Sequence, residues 1–393
     1  MAYRKLLIII AGISSLIFFS CKDNPTDVGF GLLKNNLVNV KSLDSSTDSL
    51  KQTSSYFQKT IPLGNGTKLL LGNYKNVQGS VLLNYYFLFL PDSIRSGYLD
   101  KSVTIQSASV ALYPVITYGD SLASFDFTVH QINSSWGTTT FDADSLPSLS
   151  YNAGDISSNR IITDSVATFT LDKSLVDSWL SAYIDSNYTA LNGIYLTPTA
   201  NTKKIIGFQS FSSLTGAYSE LRVVFSKAGV YSDTISFVPV QDISVIKGTL
   251  PQIKSTEIAV QGGLTLNSKL WFDASKIPAN AVINQATLTL TVDTLNSYYP
   301  SGYYNGVTLW NLSDSTANTI DSSKSVSLSL SGSTIQGDIT SLVQKWIDNK
   351  INQGIIIQSS DLIEGVELYA IKGSHDPDLT VRPRLQIIYT TRN

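Results

Sequence analysis

The chain reads as an all-β protein built from two tandem antiparallel jelly-roll β-sandwich domains, each with one short helix. Three observations predict this. Short runs of apolar–polar alternation recur along the 393 residues, broken by Gly, Pro, Asn and Asp. One amphipathic helical stretch is written twice, and the strands around it recur in the same order. Spacing between the copies differs only in loops, where insertions cost little.

Composition narrows the class. With 42% apolar residues, a chain of this length can bury a core in each of two domains. Only 15% of residues are charged, while Ser, Thr, Asn and Tyr are abundant, so the surface is made of hydroxyls and amides, as suits an extracellular β protein. The net charge of −2 and the scattered Lys and Arg residues leave no basic stripe, which argues against nucleic acid as a partner. One cysteine excludes a disulfide within the chain. His130 and His375 are the only histidines, too few with that cysteine for an ordinary zinc site.

Arg4 and Lys5, the apolar run Leu6 to Phe19, then Ser20 and Cys21 read as a signal peptide over residues 1–20. The run is shorter than the roughly 20 residues that span a bilayer. Phe18-Phe19-Ser20-Cys21 resembles a bacterial lipobox, which implies that Cys21 becomes the lipidated N-terminus and that the membrane is a partner. Lys22-Asp23-Asn24 resembles the export signals of surface lipoproteins, so the expected address is the bacterial outer membrane, lipid-anchored and surface-exposed. Residues 21–60 read as lipidated N-terminus and spacer, with Leu37 to Val40 as a lone strand that could tuck onto the first domain.

The first sandwich is expected over residues 61–227. Its strands include Lys68 to Leu71, Val81 to Leu90 (apolar enough to be buried on both faces), Ile105 to Tyr113 and Phe125 to Ile132. A long polar loop, Asn133 to Ser150, follows. The first helix copy places Leu175, Val176, Trp179, Leu180, Tyr183 and Ile184 on one face. Residues 228–252 read as a linker with an edge strand, since Pro239 and Pro251 disfavour a central one.

The second sandwich is expected over residues 253–393. Ile283 to Leu290 matches Ile105 to Leu112, and Leu385 to Tyr389 matches Leu221 to Phe225. In the second helix copy Thr340 is the expected cap, and Leu342, Val343, Trp346 and Ile347 share a face. Gly354 closes the turn into a buried strand.

Gly337 to Trp346, Asn352-Gln353-Gly354-Ile355, and Arg382 to Tyr389 resemble the helix-and-closing-strand pattern of DNRLRE domains, bacterial jelly rolls related to carbohydrate-binding modules. The likeness covers most of 253–389, and repeat one is a more divergent copy. It implies an extracellular β-sandwich with carbohydrate or cell-envelope binding, and transfers no ligand residues.

Tyr298, Tyr299, Tyr303 and Tyr304 flank a turn at Pro300-Ser301-Gly302. Such rings either pack across a hairpin between Ala286–Asp293 and Val307–Leu312 or stack on sugars, and with Trp136 they are the candidate ligand residues. Trp179 and Trp346 read as core. A structural calcium is conceivable at His375-Asp376-Pro377-Asp378 or at Asp142 and Asp144, although such clusters also form solvated turns. No other cofactor is implied. Catalysis would need a carboxylate pair and none stands out, so the chain reads as a non-enzyme. The expected work is binding of a polysaccharide or envelope glycan, with a structural or adhesive role through protein contacts as the alternative.

Overall fold

The computed structural model describes residues 38–48, 50–213, 216–301, 303 and 305–392. The signal peptide, Cys21 and Tyr304 lie outside them. Every strand pair among the described residues is antiparallel, and two stacked-sheet cores are present, so the chain is an all-β, two-sandwich protein.

In the first sandwich a five-stranded sheet has the spatial order Tyr231–Phe237, Glu220–Lys227, Val103–Leu112, Ala167–Leu171, Ser157–Ile162. It faces a seven-stranded sheet ordered Pro114–Tyr118, Ile205–Gln209, Lys68–Tyr74, Val77–Tyr85, Ile194–Pro198, Phe127–Gln131, with Pro239–Gly248 on the other edge of Val77–Tyr85. Inward-facing residues such as Val110, Phe127, Phe169 and Phe225 close the core between them. The second sandwich is one sheet folded over at the long strand Thr319–Ser331. That strand pairs Gly306–Asp314 along most of its length and Thr334–Asp338 at its end.

Three α-helices occur among the described residues: α1 (Asp92–Leu99), α2 (Lys173–Ile184) and α3 (Thr340–Asp348). The first sandwich therefore holds two helices, not the single one expected. Pro91 supplies the reason: it stands at the N-cap of α1, so the apolar run beginning at Val81 leaves the sheet at Tyr85 and turns into a helix rather than extending to Leu90. Asp172 caps α2 by accepting from Ser174 N at 2.9 Å. Thr340 does not cap α3. Its hydroxyl accepts from Ala286 N at 2.8 Å; the N-cap position is Ile339, and Asp338 just before it accepts from Thr340 N at 2.7 Å, the i,i+2 bond that Asp172 makes to Ser174 N in the first copy.

The registers align the two sandwiches residue for residue. Leu83 pairs with Ile194 and Asp242, and Leu270 pairs with Ile355 and Ser54. The glycines that open the paired strands, Gly193 (φ 81°) and Gly354 (φ 86°), are equivalent, and a Cβ on them would meet Leu83 O at 2.0 Å and Leu270 O at 2.7 Å. Only glycine fits both turns.

This alignment revises the ends of the chain. The strands Val38–Asp44 and Gln52–Gln58 lie in the segment read as spacer, and they pair with Arg384–Arg392 and Leu266–Phe272. They belong to the second sandwich, not the first. The same two positions in the first sandwich are filled by Tyr231–Phe237 and Pro239–Gly248, the segment read as linker. Leu43 and Leu50 accordingly sit in the second core. A strand edge bonds any extended segment of fitting face, so sequence distance does not oppose the exchange.

The sandwiches pack on each other through the outer faces of their inner sheets. Leu70, Ile116, Tyr118, Ile205 and Ile246 meet Ala259, Leu264, Leu266, Val366 and Leu368 in one apolar cluster. The contact is approximately two-fold: the equivalent tyrosines Tyr118 and Tyr298 each reach into the other sandwich, donating to Glu367 Oε2 (3.2 Å) and Asn76 Oδ1 (2.9 Å). Burial on both faces, predicted for Val81 onward, follows from this four-layer stacking.

Candidate functional site

The row across the inner sheet of the second sandwich, Ser55–Lys269–Ile356–Trp310, is set by pairing. Leu270 and Phe272 point into the core, so Lys269 and Trp271 face outward on the same strand. With Thr53 and Ser55 of the N-terminal strand and Leu312 and Ser315 of the next hairpin they line an open cavity of 430 Å³. Trp271 and Asn352 border a second cavity of 270 Å³ that continues past Ala274 and Lys350. Trp271 and Trp310 are both half-buried.

The side chains here are held. Trp271 Nε1 donates to Asn352 O at 3.1 Å, and Asn352 Nδ2 donates to Phe272 O at 2.8 Å, tying the loop before Gly354 to the strand that carries the indole. Ser315 Oγ donates to Gln353 Oε1 at 2.7 Å. Lys269 Nζ donates to Ser315 O at 3.1 Å and lies 5.7 Å from the Phe57 ring centroid. The result is a preorganised shelf of indole, aliphatic surface, amides and hydroxyls. Chemically it can stack on a flat apolar face and exchange hydrogen bonds around its rim.

The sequence-predicted residues lie elsewhere. Tyr298 is engaged between the sandwiches: its hydroxyl accepts from Gln261 Nε2 at 2.6 Å and its ring meets Tyr74 edge-on at 5.2 Å. Tyr299 stacks on Tyr369 at 5.7 Å, against the second core. Tyr303, half-exposed, donates to Val115 O of the first sandwich. Trp136 is buried and donates to Asn192 O at 2.9 Å, within a loop that lies on the first sandwich.

The tyrosine segment is not a hairpin turn, because the strands it joins lie in opposite layers. Ala281–Thr291 pairs with Thr334–Asp338 and Arg384–Arg392, while Gly306–Asp314 pairs with Thr319–Ser331 and Ile355–Ser359. The alternation Lys269-Leu270-Trp271-Phe272 was the available signal for the shelf. It assigns Trp271 to the outer face without saying whether anything covers that face.

No group of three or more His, Cys, Asp or Glu side chains among the described residues is arranged to hold a metal ion. Asp376 and Asp378 instead accept from the backbone N–H of Asp378 and Thr380, and Asp142 from Ser145 N and Oγ, as turn carboxylates do. His130 is buried, with Nε2 2.8 Å from Thr128 Oγ1.

One buried carboxyl stands out. Glu367 lies fully enclosed where the sandwiches meet, taking hydrogen bonds from Ser359 Oγ and Tyr118 OH. Loss of hydration, reinforced by nearby Asp361, pushes it up to about 7. It has no open approach, so it reads as part of the interface rather than as a general acid. No helix among the described residues is long and apolar enough to cross a membrane. No protein-family model matches the chain, and no curated protein matches it.

Proposed function

We propose that the chain is a lipid-anchored surface protein that binds a polysaccharide or envelope glycan without catalysis, through the open shelf of its second sandwich. The observation that carries this reading is the cavity beside Trp271, where an indole fixed by Asn352 stands among hydroxyl and amide side chains. Sugar rings present apolar C–H faces bordered by hydroxyls, and such a shelf complements both. Anchoring through Cys21 and an outer-membrane address rest on the lipobox-like segment, and the DNRLRE-like pattern of the second sandwich is consistent with a binding module.

The test is binding of the full mature chain and of Trp271→Ala to a panel of immobilised neutral and acidic polysaccharides, with thermal melts alongside. Loss of about tenfold in affinity, with the fold retained and the melt lowered only by the lost bond to Asn352 O, is the expected result. A parent that retains nothing on the panel, or a Trp271→Ala protein that binds as the parent does, overturns it.

A second reading is a structural or adhesive role through protein contacts only. It is favoured by the engagement of Tyr298, Tyr299 and Tyr303 in packing and in contacts between the sandwiches.

A further inference from the structure

At one corner of the second sandwich, the turn between the two N-terminal strands meets the loop that leads into Arg384–Arg392, and a cleft of 560 Å³ opens between them. Lys51, Arg382 and Arg384 line it together with Thr53, Ser374 and Thr380, and no carboxylate is among its lining residues. Three cations line one cleft in a chain whose sequence carries no basic stripe.

Arg384 is neutralised by Asp44, 2.6 Å away. Lys51 and Arg382 form no ion pair within 4 Å among the described residues. Arg382 is half-buried and positioned through its Nε, which donates to Asp376 O at 2.6 Å. A guanidinium held in this way keeps its terminal N–H groups in a fixed fork, the geometry that recognises carboxylates and sulfates.

The fold does not require this corner. In the first sandwich the equivalent strands, Tyr231–Phe237 and Pro239–Gly248, are joined through Val238 alone, where the second sandwich has the seven residues 45–51. The positions equivalent to Arg382, Pro383 and Arg384 are Tyr218, Ser219 and Glu220, with Glu220 turned to Tyr113 and Arg222. The basic cleft is thus an addition to the second copy. It shares Thr53 with the cavity beside Trp271, so one extended molecule can reach both.

We propose that the Lys51–Arg382 cleft is an anion subsite that selects an acidic sugar, a uronate or a sulfate ester, on the same chain that crosses the Trp271 shelf. The proposal rests on the glycan-binding reading and names its ligand class.

Two matched polymer pairs test it: polygalacturonate against its methyl ester, and dextran sulfate against dextran, each titrated into the mature full-length protein at low and high salt. In at least one pair the charged member binds about tenfold more tightly at low salt, and the preference shrinks as salt rises. Lys51→Gln and Arg382→Gln each reduce binding of the charged member about three- to tenfold and leave the neutral member unchanged, and Lys51→Gln also leaves the melt unchanged. Two variants are used because Arg382 also positions its own loop.

Equal binding of both members in both pairs overturns the proposal, as does full preference retained in both variants. Inorganic sulfate that competes as well as the charged polymers overturns it too, since the cleft would then hold an adventitious ion only. A protein that binds neutral glycans through Trp271 but shows no acid preference keeps the shelf reading and loses only the subsite.

Discussion

The first sandwich carries the row Ile243–Leu82–Tyr195–His130, and the second carries Ser55–Lys269–Ile356–Trp310 at the same positions of the same sheet. In the first, Trp136, Phe141 and Leu149 of the loop Asn133 to Ser150 lie on Leu82, Tyr195, Ile243 and Val245 and close a small core of their own. In the second the shelf stays open. A duplicated fold has thus given one copy an apolar face with its own lid and the other an amphipathic face without one. Burial of the first stabilises the molecule, while the half-buried indole of the second borders an open cavity. Even the supporting hydrogen bond is shared: Asn84 Nδ2 donates to Leu191 O where Trp271 Nε1 donates to Asn352 O.

The comparison can be broken at several points. The largest effect is expected at the helices. Trp346 packs in the second core and donates to Asn311 Oδ1 at 2.7 Å, so Trp346→Ala should remove about 3–5 kcal/mol and take that donor from the buried Asn311 Oδ1. Calorimetry should show the unfolding of the second sandwich shifted. A melt identical to the parent would mean that Trp346 does not bind the helix to its core.

The pH response should follow Glu367. Its folded value, about 7, is raised above the ordinary 4.5, so the folded protein holds a proton that the unfolded chain releases. The contribution is fully present below about pH 4.5 and is lost as pH rises through about 7, roughly 3 kcal/mol in all. The equivalent residue of the first sandwich is Lys204, which reaches Ser121 O, so this response belongs to one side of the interface. Denaturant unfolding at pH 5 and pH 8 should differ less in Glu367→Gln than in the parent. Equal pH dependence in both would assign the response to other groups.

Leu43→Ala should cost about 2–3 kcal/mol although it lies in the segment expected to be a spacer, because its side chain is in the second core. Hydrogen exchange should then rise in Arg384–Arg392 and not in Glu220–Lys227. The reverse pattern would contradict the strand exchange. Tyr303→Phe should have the smallest effect, about 0.5–1.5 kcal/mol, for the loss of one half-exposed hydrogen bond to Val115 O. Glycan retention should be unchanged. A large loss of retention would return the tyrosines to the binding site.

The sequence by itself determined the elements and their duplication. Alternation of period two placed Ile105–Leu112 and Ile283–Leu290 as half-buried strands, the 3.6-residue period placed Trp179 and Trp346 inward, and Gly193 and Gly354 marked equivalent turns. These are local rules, set by backbone geometry within a few residues. Tertiary structure alone decided which sandwich receives the strands Val38–Asp44 and Gln52–Gln58, why Tyr298 is shared between the sandwiches, and that Trp136 belongs to a lid packed on its own sheet while Trp271 borders an open cavity. The physical reason is that backbone hydrogen bonds at a strand edge and apolar contact at a face are indifferent to sequence distance, so any extended segment of fitting shape can complete them.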